Sequence, residues 1–369
     1  MKELLRCIIK SLLKIFYVFP VDDNKVYLMN FNGDKYGLDA KAFVEFLKQN
    51  YPEQYRIYWE TIDKNRLGII EGITSVGKFS LIGFFHYMTA GIILCNLTPR
   101  SYIPFRKKQI IINTWHGYPM KKVGKYALRY NQSAYEIASC FPSHSEEYTE
   151  MVLKDSFDYD RDIICCGVPR NDIFFTTDKE IKRKKIKDAI GVSGKIALFA
   201  PTFRGDYEYE ESEMDIGRLQ DSLERKTGEK WTILFRLHPQ LVGRFSSFFF
   251  NIMDVSEYPD MQELLLISDI LITDYSSCAW DFSQQRKPVF LFTTDLKKYS
   301  DNRGLYFPLE RLPYPLAEDN DELEHNIMEF DYDIYKIRLE KYFKRVNNYE
   351  SGRSCQSLLN YVNKKRKKS

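Results

Sequence analysis

The sequence predicts two α/β domains, each a doubly wound parallel sheet, facing each other across a cleft. Three observations carry this expectation. Short β-rich runs alternate with helix-like runs along most of the chain, the rhythm of parallel strands joined by helical crossovers. The rhythm breaks at a cluster of turn formers, Gly167 to Asp172, and at a charged stretch, Thr177 to Ala189, then restarts at Lys195. The 369 residues are long for one domain, and 44% hydrophobic with 28% charged residues can fill two cores and solvate their surfaces.

Residues 1–19 come first. Leu4, Leu5, Ile8, Ile9, Leu12, Leu13 and Phe16 recur at helical spacing, with Lys2, Arg6, Lys10 and Lys14 every four residues beside them. Lys10 and Lys14 interrupt the apolar centre that a signal peptide needs. Two readings stay open: an interfacial helix that dips its apolar face into lipid while the cations meet anionic headgroups, or an ordinary helix packed on the protein.

The first domain is expected over residues 20–168. Its strands are Lys25–Asn30, Tyr55–Thr61, Gly91–Asn96, Gln109–Thr114, Ile137–Ser143 and Asp162–Gly167, with a helix at Ala40–Gln49. The apolar run Phe79–Leu94 is shorter than the roughly 20 residues of a membrane span and holds His86, so it reads as a buried helix followed by a strand. The second domain, 169–345, has strands at Lys195–Phe203, Trp231–Leu237, Asp269–Thr273 and Pro288–Phe292. Residues 346–369 form a C-terminal helix and a basic tail. Its cations, Lys364 to Lys368, suit an anionic leaflet, or else a solvated end.

A net charge of +3 is too small to mark a nucleic-acid partner. Seven cysteines, an odd number with no CxxC pair, read as buried reduced thiols rather than as disulfides or a zinc site. No carboxylate cluster reads as a metal site, no cofactor is implied, and a divalent-metal requirement stays open.

Four polar clusters each end an expected strand, where doubly wound sheets bind ligands. Gln109–Thr114 runs into Trp115-His116-Gly117-Tyr118-Pro119-Met120, which places a proton acceptor on a tight turn. Lys195–Ala200 runs into Pro201-Thr202-Phe203-Arg204. Arg236 and His238, two apart on an extended segment, can face one anionic group. Ile270–Thr273 runs into Asp274-Tyr275-Ser276-Ser277, where either serine can cap a new helix whose N–H groups attract an anion, with Asp281 one turn on from Ser277. Together they point to a phosphate-bearing ligand. No GxGxxG or GxxxxGK[ST] loop is present.

With Gly167-Val168-Pro169-Arg170-Asn171-Asp172 and the closing Asp281-Phe282, these motifs resemble the CDP-glycerol glycerophosphotransferases of teichoic-acid synthesis, over roughly residues 24 to 345. The resemblance implies two Rossmann-like halves of the GT-B type, attached peripherally at the cytoplasmic face of the cell membrane. It implies His116 and His238 as the catalytic pair. Donor contacts would fall on Gly117, Tyr118, Pro119, Met120, Arg170, Thr202, Phe203, Arg236, Leu237, Ser276, Ser277 and Asp281. The donor would be CDP-glycerol or a similar CDP-polyol, the acceptor a polyprenyl-diphosphate-linked saccharide or polymer, and the product CMP. The family usually has Thr where this chain has Tyr118, and Trp where it has Phe203, which leaves the polyol open between glycerol and ribitol. The chain looks like the short, primase-like or capsule-pathway members. A nucleotide-sugar glycosyltransferase of the same architecture is the competing enzyme, and a membrane-bound nucleotide or polyanion sensor the competing non-enzyme.

Overall fold

The computed structural model describes residues 2–31, 33–97, 103–127, 135–202, 214–236 and 252–368. Among these, two sheets form, and every strand pairing in them is parallel. The first contains β1 (Asp22–Met29), β2 (Arg56–Thr61), β3 (Ile73–Gly77), β4 (Ala90–Cys95), β5 (Ile110–Asn113), β6 (Cys140–Ser143) and β7 (Asp162–Cys165), in the order β3-β2-β1-β4-β5-β6-β7. The second contains β8 (Lys195–Ala200), β9 (Trp231–Phe235), β10 (Ile252–Asp254), β11 (Ile270–Thr273), β12 (Val289–Phe292) and β13 (Leu316–Ala317), in the order β10-β9-β8-β11-β12-β13.

Parallel neighbours need long crossovers, and helices supply most of them here. The central strands are therefore almost wholly apolar rather than alternating: β4 reads AGIILC, β5 IIIN and β12 VFLF, all buried. Each sheet grows one way from its first strand, then jumps back and grows the other way. The reversals lie between β1 and β4 and between β8 and β11. At such a point the loops part and leave a crevice beyond the carboxyl ends of the strands.

The chain forms two compact units. The first comprises 1–116, 124–173 and 348–369; the second comprises 117–123 and 174–347. The division differs from the one expected near 168/169. Pro169–Phe175 is a tight 3-10 segment, and its Asp172 and Asn171 are bonded to Ser354 and Glu350, which holds it in the first unit. Residues 348–369 are likewise no separate tail. The helix Ser354–Arg366 puts Cys355, Leu358, Leu359 and Val362 into the core that holds Val26, Leu94 and Ile112.

The amino-terminal segment is a helix, Lys2–Leu13, continued by a 3-10 turn, Lys14–Val18. Leu13 is buried with Tyr27, Met88 and Ile93, and Ile9 and Phe16 pack partly against them. Ile8, Leu12, Ile15 and Val18 stay exposed. One stripe thus docks on the protein while another apolar stripe faces out. Lys10 and Lys14 are exposed, and the side chains of Lys2 and Arg6 lie outside the described residues. The described cysteines are free thiols, buried except for Cys165. No described helix is long and apolar enough to cross a membrane.

Candidate functional site

In the second unit the reversal point is closed by hydrogen bonds between the ends of β8 and β11. Asp274, buried just past β11, accepts the Thr202 N–H on both carboxylate oxygens, at 3.0 and 2.9 Å, and the Thr202 hydroxyl at 3.1 Å. The Thr273 hydroxyl donates to the Ala200 carbonyl at 2.7 Å. Sequence placed Thr202 at this strand end. Its partner Asp274 stood in the motif without a role.

The helix after β11 differs from the expectation. It is short, Cys278–Ser283. Ser277 stands at its cap position but makes no side-chain cap bond; the Ser276 Oγ accepts from the Cys278 N–H at 3.4 Å instead. The N–H groups of Ala279 and Trp280 are taken by the Ser276 and Ser277 carbonyls. The N–H groups of Cys278, Ala279 and Trp280 are thus occupied, and the turn offers the half-buried hydroxyls of Ser276 and Ser277. Asp281 is buried and accepts from Gln262 Nε2 at 3.0 Å.

Residues 117–123 are a strap fastened to this unit. Gly117 lies on Ser277: a Cβ there would meet the serine Oγ at 2.1 Å. Tyr118 is buried and stacks on Trp280, with centroids 4.3 Å apart. Its ring is spent on this packing. Pro119 is buried, and the Met120 carbonyl accepts from the Tyr306 N–H at 3.0 Å. Lys122 N–H donates to Gly304 O and Val123 N–H to the Tyr306 hydroxyl. Arg236 leaves the end of β9 half-buried, its Nη1 donating to Tyr258 O at 3.0 Å. Burial pulls its guanidinium below the ordinary value, and Asp260 partly offsets this. Phe203, Leu237 and His238 lie outside the described residues.

In the first unit, His116 sits just past β5, exposed, beside the reversal between β1 and β4. Its Nδ1 is 3.1 Å from the Asn96 carbonyl. A carbonyl only accepts, so Nδ1 carries the proton and Nε2 of the neutral ring carries the lone pair. The Asn96 side chain accepts the Phe31 N–H at 2.9 Å and donates to Asn30 Oδ1 at 2.5 Å. Phe31 and Trp115 both hold left-handed backbones, with φ of 50° and 54°, and both rings lie against His116, at 5.9 and 4.0 Å. Bulky residues adopt that conformation only under constraint, and such strain gathers at functional sites. Asn30, Phe31 and Asn96 were missed, although Asn30 and Asn96 each follow an apolar strand, the signal that marked His116.

Arg170 corrects an expectation. Its guanidinium is buried and pairs with Asp39, Nη1 to Oδ2 at 2.9 Å, while its N–H meets Asp39 Oδ1 at 3.1 Å. Nη2 faces His144 Nε2 at 3.4 Å, and His144 Nδ1 meets Glu350 Oε1 at 2.9 Å. Glu350 also accepts from Asn171 and from the Val168 N–H. The cation expected to meet the donor serves an internal network. Among the described residues, no group of three or more His, Cys, Asp or Glu is placed to hold a metal.

Residues 11–364 match the family model described as CDP-Glycerol:Poly(glycerophosphate) glycerophosphotransferase. The chain is 28% identical over 379 residues to the teichoic acid poly(glycerol phosphate) polymerase of Bacillus subtilis (strain 168), covering 96% of this chain but 50% of that relative, so it spans half the relative's length. It is 27% identical over 388 residues to the teichoic acid glycerol-phosphate transferase of Staphylococcus aureus, covering 97% and 98% of the two chains. It is 31% identical over 280 residues to the teichoic acid glycerol-phosphate primase of Bacillus subtilis, covering 71% and 70%. The fold is that of the wall teichoic acid polymerase TagF, with a TM-score of 0.84 at 23% identity over 100% of this chain and 96% of that one. Two Rossmann-type sheets, a histidine held at the mouth of the first, a stitched reversal point in the second and a match over nearly the whole length agree, and the chain belongs to the CDP-glycerol:poly(glycerophosphate) glycerophosphotransferase family.

Proposed function

We propose that this member transfers a polyol phosphate, glycerol phosphate first, from its CDP-activated form to a polyprenyl-diphosphate-linked saccharide at the cytoplasmic face of a membrane. The observation that carries the reading is the His116 ring, whose Nδ1–H is held by the Asn96 carbonyl so that Nε2 is the basic nitrogen. An acceptor hydroxyl gives its proton to Nε2 as its oxygen attacks the polyol-side phosphorus. The bond from that phosphorus to the bridging oxygen breaks, and CMP leaves. Arg236, His238, Thr202 and the Ser276 and Ser277 hydroxyls are the groups of the second unit assigned to the diphosphate. Fixed donors of this kind typically contribute several kcal/mol to the transfer of phosphoryl groups.

The outward apolar stripe of the first helix, with Lys10 and Lys14 beside it, supports attachment at the surface of a bilayer. A relative that spans the same length, 24% identical over 98% of each chain, is the teichoic acid ribitol-phosphate primase of Bacillus spizizenii, which makes CDP-ribitol the second donor to try. The test is incubation with CDP-glycerol, CDP-ribitol and UDP-sugars and a lipid-linked acceptor, with the nucleotide product identified. CMP from a CDP-polyol is expected. A nucleoside diphosphate from a UDP-sugar alone would make it a sugar transferase.

A further inference from the structure

We propose that the amino end of the first sheet carries a second phosphate site, a basic groove that seats the headgroups of an anionic bilayer. Two adjoining hollows, of ≈ 430 and ≈ 410 Å³, open where β5 and β7 begin, and share Arg161, Asp162, Tyr361 and Lys365. Lys107 and Lys108 form one wall, on the loop that leads into β5. The end of the helix Ser354–Arg366 forms the other, with Lys364 and Lys365, and Lys368 follows it.

Charge in this groove is unbalanced. Asp162 is the one carboxylate in its lining. It is already engaged, with Lys365 Nζ at 2.6 Å and the Tyr361 hydroxyl at 2.8 Å, and these bonds hold its carboxyl below the usual range. Among the described residues, no carboxylate pairs with Lys107, Lys108, Arg161, Lys364 or Lys368. Like charges crowded around a hollow cost energy unless an anion enters it.

Position favours lipid over a soluble phosphate. Both walls are fastened to the stretch of chain that leaves the first helix. Arg106 donates to the Phe19 carbonyl at 2.5 Å, and the Tyr17 hydroxyl donates to the Phe105 carbonyl at 3.4 Å, on the loop that bears Lys107 and Lys108. Arg366 donates to the Asp23 carbonyl on the other side. At and just before the start of that stretch, Leu12, Ile15 and Val18 are 68, 69 and 77% exposed. An apolar ridge and a basic hollow therefore share one end of the sheet, the pairing that a bilayer surface satisfies. The groove is not the donor site. It lies at the start of β5 and His116 lies past its end, so the four residues of the strand, about 13 Å at strand spacing, stand between them.

This inference rests on the membrane-side transferase reading for its purpose only, and its test does not use turnover. The full chain and a Lys107→Ala/Lys108→Ala/Arg161→Ala variant are co-sedimented with phosphatidylcholine vesicles, with and without phosphatidylglycerol. All three residues are exposed, and matching thermal unfolding checks the fold. Partition onto the anionic vesicles should fall on the order of 100-fold, about fivefold for each cation removed near the surface, with partition onto neutral vesicles unchanged. Glycerol 3-phosphate should not displace the wild-type chain from the vesicles. Three results overturn the proposal: a variant that sediments like wild type, a loss on neutral vesicles as large as on anionic ones, or displacement by glycerol 3-phosphate. CMP release by the variant with a soluble acceptor analogue reports on the transferase reading separately.

Discussion

Gly117 rests directly on Ser277, so closely that any Cβ on the glycine would fall 2.1 Å from the serine Oγ and 2.4 Å from its Cβ. Both atoms belong to a short, half-buried side chain that cannot swing far. Gly117→Ala should therefore lift the strap 117–123 off the turn that carries Ser276 and Ser277. A displacement of about 1 Å at a reacting centre can cost on the order of 100-fold in rate. The expected result is a loss of CMP formation of that size, with the unfolding midpoint little changed. Steady-state kinetics with thermal unfolding on the same preparation checks it, and wild-type kinetics would show that the strap's seat is not needed.

His116→Ala should lower turnover at least about 100-fold, the usual contribution of a positioned general base. Its ring is exposed and rests on rings rather than filling a core, so the variant should fold. His116→Gln separates the roles: its amide can donate to the Asn96 carbonyl but cannot take a proton. Loss in both variants assigns the role to basicity. Recovery in His116→Gln assigns it to position.

Arg170→Ala should act on stability rather than on the donor. Removing one partner of a buried ion pair typically costs about 3–5 kcal/mol, because the other charge is left uncompensated; here that charge is Asp39, beside the His144–Glu350 pair. Urea unfolding should show the loss, and CDP-glycerol affinity of the remaining folded protein should match wild type. A selective loss of donor affinity with full stability would return Arg170 to the donor site.

Asp172 gives the fold a pH dependence of known sign. Burial raises its carboxyl to about 6, against the backbone N–H bonds from Cys355 and Ser354 that favour the anion. A carboxyl raised on folding binds its proton more tightly in the native state. Its contribution is complete below the unfolded value of about 4 and is lost as pH rises through about 6. The stability difference between wild type and Asp172→Asn should shrink over that window, by at most about 1.4 kcal/mol per pH unit. Urea melts of both proteins across the window measure it, and a flat or rising difference would contradict the shift.

The parallel strands at the centre of each sheet were legible because burial on both faces leaves continuous runs such as GIILCN and QIIINT. β3, β10 and β13 were not. They sit at sheet edges with one neighbour each, and β10 and β13 are only three and two residues long. Half-exposed edges lose the apolar signal that sequence reading depends on. His116, Thr202 and Ser276 do lie just past the ends of β5, β8 and β11, where the sequence expects them, because a polar residue straight after an apolar strand stands out. The Asp39–Arg170 pair and the His144–Glu350 pair beside it were not legible, because these residues are remote in sequence and only the fold brings them together. The left-handed backbones of Phe31 and Trp115 leave no trace in residue type.

The return of the helix Ser354–Arg366 to the first unit has a consequence for synthesis. Cys355, Leu358, Leu359 and Val362 complete a core whose other buried members lie before residue 141. The half of the protein that leaves the ribosome first is thus the last able to close. The second sheet, whose strands all lie between residues 195 and 317, can condense while the first still waits for its final helix. A nascent chain halted after residue 347 should carry a protease-resistant second unit and an open, chaperone-accessible first one.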